Sequence, residues 1–287
     1  MNLMREIKIY ADMIKLAHTL FALPLALSAA VLAYSNGAEF SAGIFLWVVV
    51  AFTAARSAAM GFNRVVDADI DALNERTKNR PTVSGTLPIK SAKIFTGISA
   101  AVFIFAAFMI NPLCGALSFP ALAVVLGYSY TKRFTFLAHY VLGLALSLAP
   151  IGAWIAVSGS FDPRILFLGA FIFFSIAGFD QIYALQDMRF DVEHKLRSIP
   201  STFGKNKTLA CAGASFASAA AMLFATGAAF ALNAAFFACA AAIAVMYAVG
   251  FSIILKTGLR KINLVFFYMN ASISILILVG TLANLKF

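Results

Sequence analysis

The chain has 287 residues, of which 62% are hydrophobic and 12% charged, with 22 Lys and Arg against 12 Asp and Glu for a formal net charge of +10. With a mean hydropathy of +0.91, it has too little polar surface to cover a water-soluble globule of this size, so composition excludes a soluble enzyme or binding module and predicts an integral membrane protein. The positive balance reads as topology and as attraction to anionic lipid headgroups, not as a nucleic-acid signal.

In chain order, the first segment places Leu3, Ile7, Tyr10 and Ile14 on one helical face, which predicts an interfacial helix leading into the first span. Its basic start, apolar stretch and small residues also fit a secretory signal, but the basic part is long and itself helical in pattern. Apolar runs able to cross a hydrocarbon core of about 30 Å, at roughly 20 helical residues each, fall near 17–35, 41–62, 94–111, 113–130, 137–158, 165–186, 208–230, 233–255 and 263–285. Nine spans are therefore predicted, punctuated by Ser35-Asn36-Gly37, Asn111-Pro112, Ser158-Gly159-Ser160, Asn233 and Gly258. With the N-terminus inside, Arg164 and Lys286 are the basic residues that fall on the outer side, and Arg56 lies within a span. That asymmetry predicts a cytoplasmic N-terminus and an odd number of crossings. Cys114, Cys211 and Cys239 lie inside predicted spans without metal or disulfide spacing and read as packing residues.

Eight of the twelve acids stand in two places: Asp67, Asp69, Asp71 and Glu75 after the second span, and Asp180, Asp187, Asp191 and Glu193 after the sixth. Charge near the apolar region costs a few kcal/mol per residue, so such clusters point to function. At 100° per residue Asn63, Asp67 and Asp71 form one stripe, with Asp69 on the other side. Asp180, Asp187 and Asp191 form a second stripe with Tyr183 and Ala184 between, and two such stripes could face each other across a cavity. Carboxylates at this spacing suit Mg²⁺, which keeps water and substrate phosphates in its shell. Nearby Arg56, Arg64, Arg76, Lys78, Arg80, Arg189, Lys195 and Arg197 would neutralise remaining phosphate charge. Tyr128 and Lys132, four apart in GYSYTKRF, put a phenol and an ammonium at the inner end of the fourth span, where Lys132-Arg133 also suits a plain positive-inside anchor.

Span, acidic stripe, basic loop, Pro and Gly recur in that order, a weak internal repeat of about 1–135 and 136–287 within one domain spanning 1–287. Asp69, Glu75 and Glu193 read as solvent-facing or paired with bases, and Asp12 as part of the polar face of the first helix. His18 and His139 read as hydrogen-bonded helix residues, not ligands, and His194 has no distinct role.

NRVVDADID and DQIYALQDMRFD, some 120 residues apart with YxxxK between them, resemble the NxxxDxxxD and DxxYAxQDxxxD motifs of the UbiA superfamily of intramembrane prenyltransferases. The resemblance covers essentially the whole chain. It implies an all-α polytopic fold of nine helices around a central cavity with cytoplasmic capping loops, formed by TKNRPTVSGTLPIKSA and KLRSIPSTFG. It also implies Mg²⁺ held by Asn63, Asp67, Asp71, Asp187 and Asp191, and a polyprenyl diphosphate contacted by Arg56, Arg64, Tyr128, Lys132 and Arg197. Asp180 and Tyr183 are implied in substrate contact, Asp180 through metal or acceptor.

The expected activity is transfer of the polyprenyl group to a hydroxylated aromatic acid, 4-hydroxybenzoate or a dihydroxynaphthoate, in ubiquinone or menaquinone biosynthesis. The expected location is the inner membrane, with the site on its cytoplasmic side. Haem, chlorophyllide and glycerol ether lipid acceptors are less favoured branches of the same superfamily. A transporter or channel using the acids for ions is the competing class. Its sites favour interrupted helices near the midplane, whereas these acids crowd the cytoplasmic ends.

Overall fold

Helix ends in this chain are written into its caps. Asn111 accepts a hydrogen bond from the Cys114 N–H at 2.7 Å with Pro112 following it, Asn233 accepts from the N–H groups of Ala235 and Phe236, and Gly159 closes a helix at φ 71°. The structure, a computed structural model, describes residues 3–39 and 41–285, apart from the side chains of Leu3, His18, Leu20, Phe21, Lys261, Asn263, Leu264 and Val265. The readings of the Leu3 and His18 side chains and of Lys286 lie outside the described residues.

The regular elements of the described residues are all helical. They are α1 (Leu3–Met13), α2 (Leu16–Ser35), α3 (Ala42–Val66), α4 (Ala68–Leu73), α5 (Ile89–Ile110), α6 (Pro112–Gly127), α7 (Ala138–Ser158), α8 (Ile165–Ala184), α9 (Met188–Glu193), α10 (Ile199–Ala229), α11 (Ala234–Thr257) and α12 (Ile262–Leu282), with 3₁₀ turns at Tyr128–Arg133 and Gly258–Lys261. Seven of the nine expected spans, on α3, α5, α6, α7, α8, α10 and α11, meet the length and apolarity of a crossing among the described residues. Shorter apolar stretches, Ala22–Ser35 and Phe266–Leu282, occupy α2 and α12. The protein is an integral membrane protein.

Two compact units make up the chain, the first from residues 1–20 and 43–130 and the second from 21–42 and 131–287. In the first, α5 packs on α6, and Met13 and Ile14 are buried against Leu87 and Ala92 with Ile9, Tyr10, Met60, Val65 and Phe95 around them. Only the end of α1 is docked in this way, since Ile7 is 55% exposed while Ile14 is 7% exposed. Ile14 itself lies just past the helix, so the four-residue apolar face is not continuous.

In the second unit α7 packs on α8, α8 on α10, α10 on α11, and α12 on both α11 and α8. Lipid tails are as apolar as these side chains, so contact quality and small residues decide this packing. Phe179 is a hub, with its ring 4.9 Å from Phe216 and 5.6 Å from Phe266, and the buried Tyr247 hydroxyl donates to Ser175 at 2.7 Å. Inside α10, Gly204 stands at φ 78°, ψ 173°, a conformation essentially reserved for glycine, which separates the turn before it from the long helix after it.

At the α7–α8 connection the Arg164 side chain donates to Asp162, from Nε to Oδ1 at 3.2 Å and to Oδ2 at 3.0 Å and from Nη2 to Oδ2 at 2.7 Å, and Arg164 lies over the Phe230 ring. The Arg164 hydrogen bonds hold the Asp162 carboxyl below its usual range. The pair is substantially exposed, so Asp162→Asn is expected to cost less than about 1 kcal/mol at pH 7. A carboxyl with a lowered folded-state pKa contributes above its unfolded value of about 3.9 and loses that contribution as pH falls through the folded value. Melting of wild type and variant in detergent should therefore differ slightly at neutral pH and converge in acid.

Candidate active site

Helix α3 carries the first set of residues along its length and ends one residue before the first acid of its motif. Asp67 leaves the helix at φ −95°, ψ 6°, and α4 starts behind it. The hydrogen bonds still step by four, from Asp67 N–H to the Asn63 carbonyl at 3.0 Å and from Asp71 N–H to the Asp67 carbonyl at 2.7 Å. The expected stripe therefore survives as a bent one. Asn63 Nδ2 donates to Asp67 Oδ2 at 2.8 Å, and Arg64 Nη1 donates to Asn63 Oδ1 at 3.1 Å. Arg64 is buried, and its Nε donates to the Met13 carbonyl, which ties it to the end of α1. Asp71, also buried, forms an ion pair with Arg80, and Thr77 donates to its carbonyl at 2.9 Å.

Higher on α3 the Arg56 Nε is buried with no hydrogen-bond partner. A buried guanidinium nitrogen left unsatisfied is costly, so this position fits an anion. Tyr128 lies close enough to Arg56 and Arg64 to be felt electrostatically by both.

The second motif repeats the local geometry with one change. Asp187 stands at φ −97°, ψ 1° before α9, and the Asp191 N–H donates to its carbonyl at 2.8 Å. The turn leading to it is tighter: the N–H groups of Leu185, Gln186 and Asp187 reach carbonyls three residues back. The expected regular stripe of Asp180, Asp187 and Asp191 is thus interrupted, because three-residue turns advance the chain faster around the axis than α-helical ones do.

Asp191 is buried and accepts from the Ser198 hydroxyl at 3.0 Å, while the Arg197 N–H donates to the Lys132 carbonyl at 2.7 Å. Burial pushes the Asp191 carboxyl above its ordinary range, opposed by the nearby Lys132 cation and the Ser198 hydrogen bond. Asp180 lies within 2.6 Å of His139 Nδ1, and Tyr183 packs its ring 5.3 Å from Phe266. Arg197 is exposed and donates from Nη1 to the Phe134 carbonyl at 3.1 Å.

The run Tyr128–Arg133 is 3₁₀, not α-helical, so the four-residue spacing does not align Tyr128 with Lys132 as it would on an α-helix. Asp69, Glu75 and Glu193 are exposed, as expected, and Glu75 pairs with Lys78. His194 bonds its own helix through the Phe190 carbonyl. Three contacts were not anticipated from sequence: His139 to Asp180, Ser198 to Asp191, and the specific choice of Arg80 for Asp71. A partial signal existed for the second, since the spacing of Ser198 and Ser201 forms a capping box around an N-terminal Pro.

Among the described residues no group of three or more His, Cys, Asp or Glu side chains forms a ready cage for a metal ion. Each motif instead offers two hard carboxylates, with an Asn amide in the first. That set fits Mg²⁺, which uses one or two protein carboxylates and completes its shell from water and substrate phosphate.

A model of the UbiA prenyltransferase family matches residues 22–272. The chain belongs to this family. A solved UbiA homologue from Aeropyrum pernix K1 is 30% identical, superposes with a TM-score of 0.85, and covers 93% of this chain and 97% of its own. A UbiA homologue from Archaeoglobus fulgidus, solved bound to GPP and Mg²⁺, shares the fold with a TM-score of 0.76 at 19% identity, covering 96% of this chain and 99% of its own. Among curated relatives, the 4-hydroxybenzoate octaprenyltransferase of Neisseria meningitidis serogroup B is 33% identical over 168 residues, 58% of this chain and 54% of that protein. The protein of the same name from Methylobacillus flagellatus is 35% identical over 178 residues, 60% of each chain. The chain spans 54% and 60% of the length of these two curated relatives.

Proposed function

We propose that this UbiA-family protein transfers a polyprenyl group from its diphosphate to 4-hydroxybenzoate at the inner membrane, with the reacting groups on the cytoplasmic side and the N-terminus cytoplasmic. The observation that carries the reading is the repeated pair of aspartates. Asp67 with Asp71 and Asp187 with Asp191 each place one acid at a helix break and a second, buried acid four residues on. The curated relatives' names supply the acceptor, and the unsatisfied Arg56 Nε fits an anionic donor.

Asn63, Asp67 and Asp71, and Asp187 and Asp191, would hold Mg²⁺ by their oxygens. When bound, the metal neutralises diphosphate oxygens and makes the diphosphate a better leaving group. Arg56 and Arg64 bind diphosphate oxygens, Arg64 as a cation whose orientation is set before the substrate arrives by Asn63 and the Met13 carbonyl. Lys132, Arg197 and Tyr128 add donors for the same group.

The allylic C–O bond breaks with its electron pair leaving on the diphosphate. The prenyl carbon then bonds to a ring carbon of the acceptor, which afterwards loses its proton to restore aromaticity. Phe and Tyr side chains exclude water from the cationic fragment and offer it their ring faces. Asp180 and Tyr183 contact the acceptor.

The reading is tested with membranes carrying the protein, Mg²⁺, a polyprenyl diphosphate and a panel of acceptors, with products identified by mass. A product from 4-hydroxybenzoate is expected. A product formed only from a dihydroxynaphthoate would move the protein to the menaquinone route, and no aromatic product at all would reject the aromatic acceptor.

A further inference from the structure

His139 is the second residue of α7 and is fully buried. Its Nδ1 lies 2.6 Å from Asp180 Oδ2 on α8, and its Nε2 lies 3.3 Å from the backbone nitrogen of Ile199 at the start of α10. A backbone N–H can only donate, so Nε2 carries the lone pair and the ring proton sits on Nδ1, directed at the carboxylate. The Asp180 side chain, by contrast, is 27% exposed. A wholly interior donor thus stands behind a carboxylate that is partly exposed.

The same imidazole fixes the start of α10, where the neighbouring Ser198 hydroxyl donates to Asp191. Packing alone would be served by any apolar side chain of this volume. A polar ring satisfied at both nitrogens sets a direction as well, because a hydrogen bond to Asp180 Oδ2 from a buried donor fixes the orientation of the whole carboxylate.

We propose that His139 is a positioning residue that aims the Asp180 carboxylate at the hydroxyl of the aromatic acceptor, acting in its neutral, Nδ1-protonated form. The inference rests on the reading of Asp180 as an acceptor contact. A carboxylate accepting the phenolic O–H makes the ring more electron-rich at the moment the electrophile arrives. His139 itself touches no substrate, and its effect should fall on the acceptor more than on the diphosphate donor.

The test is steady-state kinetics of purified protein with Mg²⁺, a polyprenyl diphosphate and 4-hydroxybenzoate, for wild type, His139→Leu and His139→Asn. His139→Leu is expected to lower kcat/KM for the acceptor by roughly tenfold to a hundredfold, the worth of one charge-assisted hydrogen bond, and to leave KM for the prenyl diphosphate unchanged. His139→Asn retains an N–H near the Nδ1 position and should recover most of the loss. Equal losses toward both substrates, or a His139→Asn variant as impaired as His139→Leu, would overturn the proposal.

Should His139→Leu fail to fold, the ring-preserving His139→Phe, Asp180→Asn and their double variant decide the matter. A double variant no worse than Asp180→Asn supports a single unit, whereas additive losses reject it. Wild-type protein inactive on 4-hydroxybenzoate would refute the acceptor assignment and with it the acceptor half of the proposal. The His139–Asp180 arrangement is read separately, by ¹⁵N-histidine NMR. An Nδ1-protonated signal that is lost in His139→Asn and shifted by Asp180→Asn supports it, and an Nε2-protonated signal rejects it.

Discussion

Asp187→Ala and Asp67→Ala are each expected to lower turnover by about 10²- to 10³-fold or more, the scale on which a preorganised electrostatic group acts, while the protein still inserts and keeps its helices. The second half of that statement is as specific as the first. Each aspartate occupies the N-cap position of a six-residue helix, yet neither side chain makes the capping hydrogen bond, so alanine removes no cap. The Asp67 side chain accepts from the neutral Asn63 amide, whereas Asp71 is the counter-charge of a partly buried Arg80, and Asp191 accepts from the buried Ser198 at the start of α10. Truncating Asp71 leaves the arginine without its counter-charge and should reduce stability as well as turnover. Product mass together with melting in detergent separates the two patterns. Near-normal turnover in Asp187→Ala or Asp67→Ala would remove those carboxylates from the reaction, and a collapsed fold in both would show that the acids are structural.

The largest expected loss of stability from a small change is at Gly143. A Cβ there would sit 2.4 Å from the Phe173 carbonyl oxygen of α8, a backbone atom that cannot rotate away. Gly143→Ala is expected to cost about 1–3 kcal/mol by forcing α7 and α8 apart. Gly152, nine residues on in the same helix, has nothing within 4 Å of its would-be Cβ. There alanine should be neutral or stabilising by up to about 1 kcal/mol, since it is the better helix former. Melting of the two variants side by side isolates the close approach from helix propensity. Equal melting temperatures would mean that the crossing relaxes without cost.

Much of this was legible in the sequence because a membrane leaves few options for a backbone. Apolar length located seven of the nine expected spans among the described residues, and Asn111, Gly159 and Asn233 marked ends that the structure uses as caps. The acid motifs were visible by spacing, and burial of Asp71, Asp187 and Asp191 agrees with a role beyond solubility. The breaks at Asp67 and Asp187 were not visible, since periodicity assumes the helix continues and neither motif holds a Gly or Pro to announce a stop. The orphaned Arg56 nitrogen depends on which neighbours surround α3, which spacing does not specify. His139 was read as an ordinary hydrogen-bonded helix residue. That is true of its bonding, but its partner stands 41 positions away, beyond the reach of any local pattern.

Gly204 has a mechanical consequence. Because the backbone changes direction there, residues 199–203 are a separate short turn that carries the link to His139 at one end, next to the serine that grips Asp191. The turn is thereby aimed separately from the long membrane helix behind it. A side chain at position 204 would be strained in this conformation and would favour a straight helix instead, so the bend that seats this corner depends on one missing methyl group.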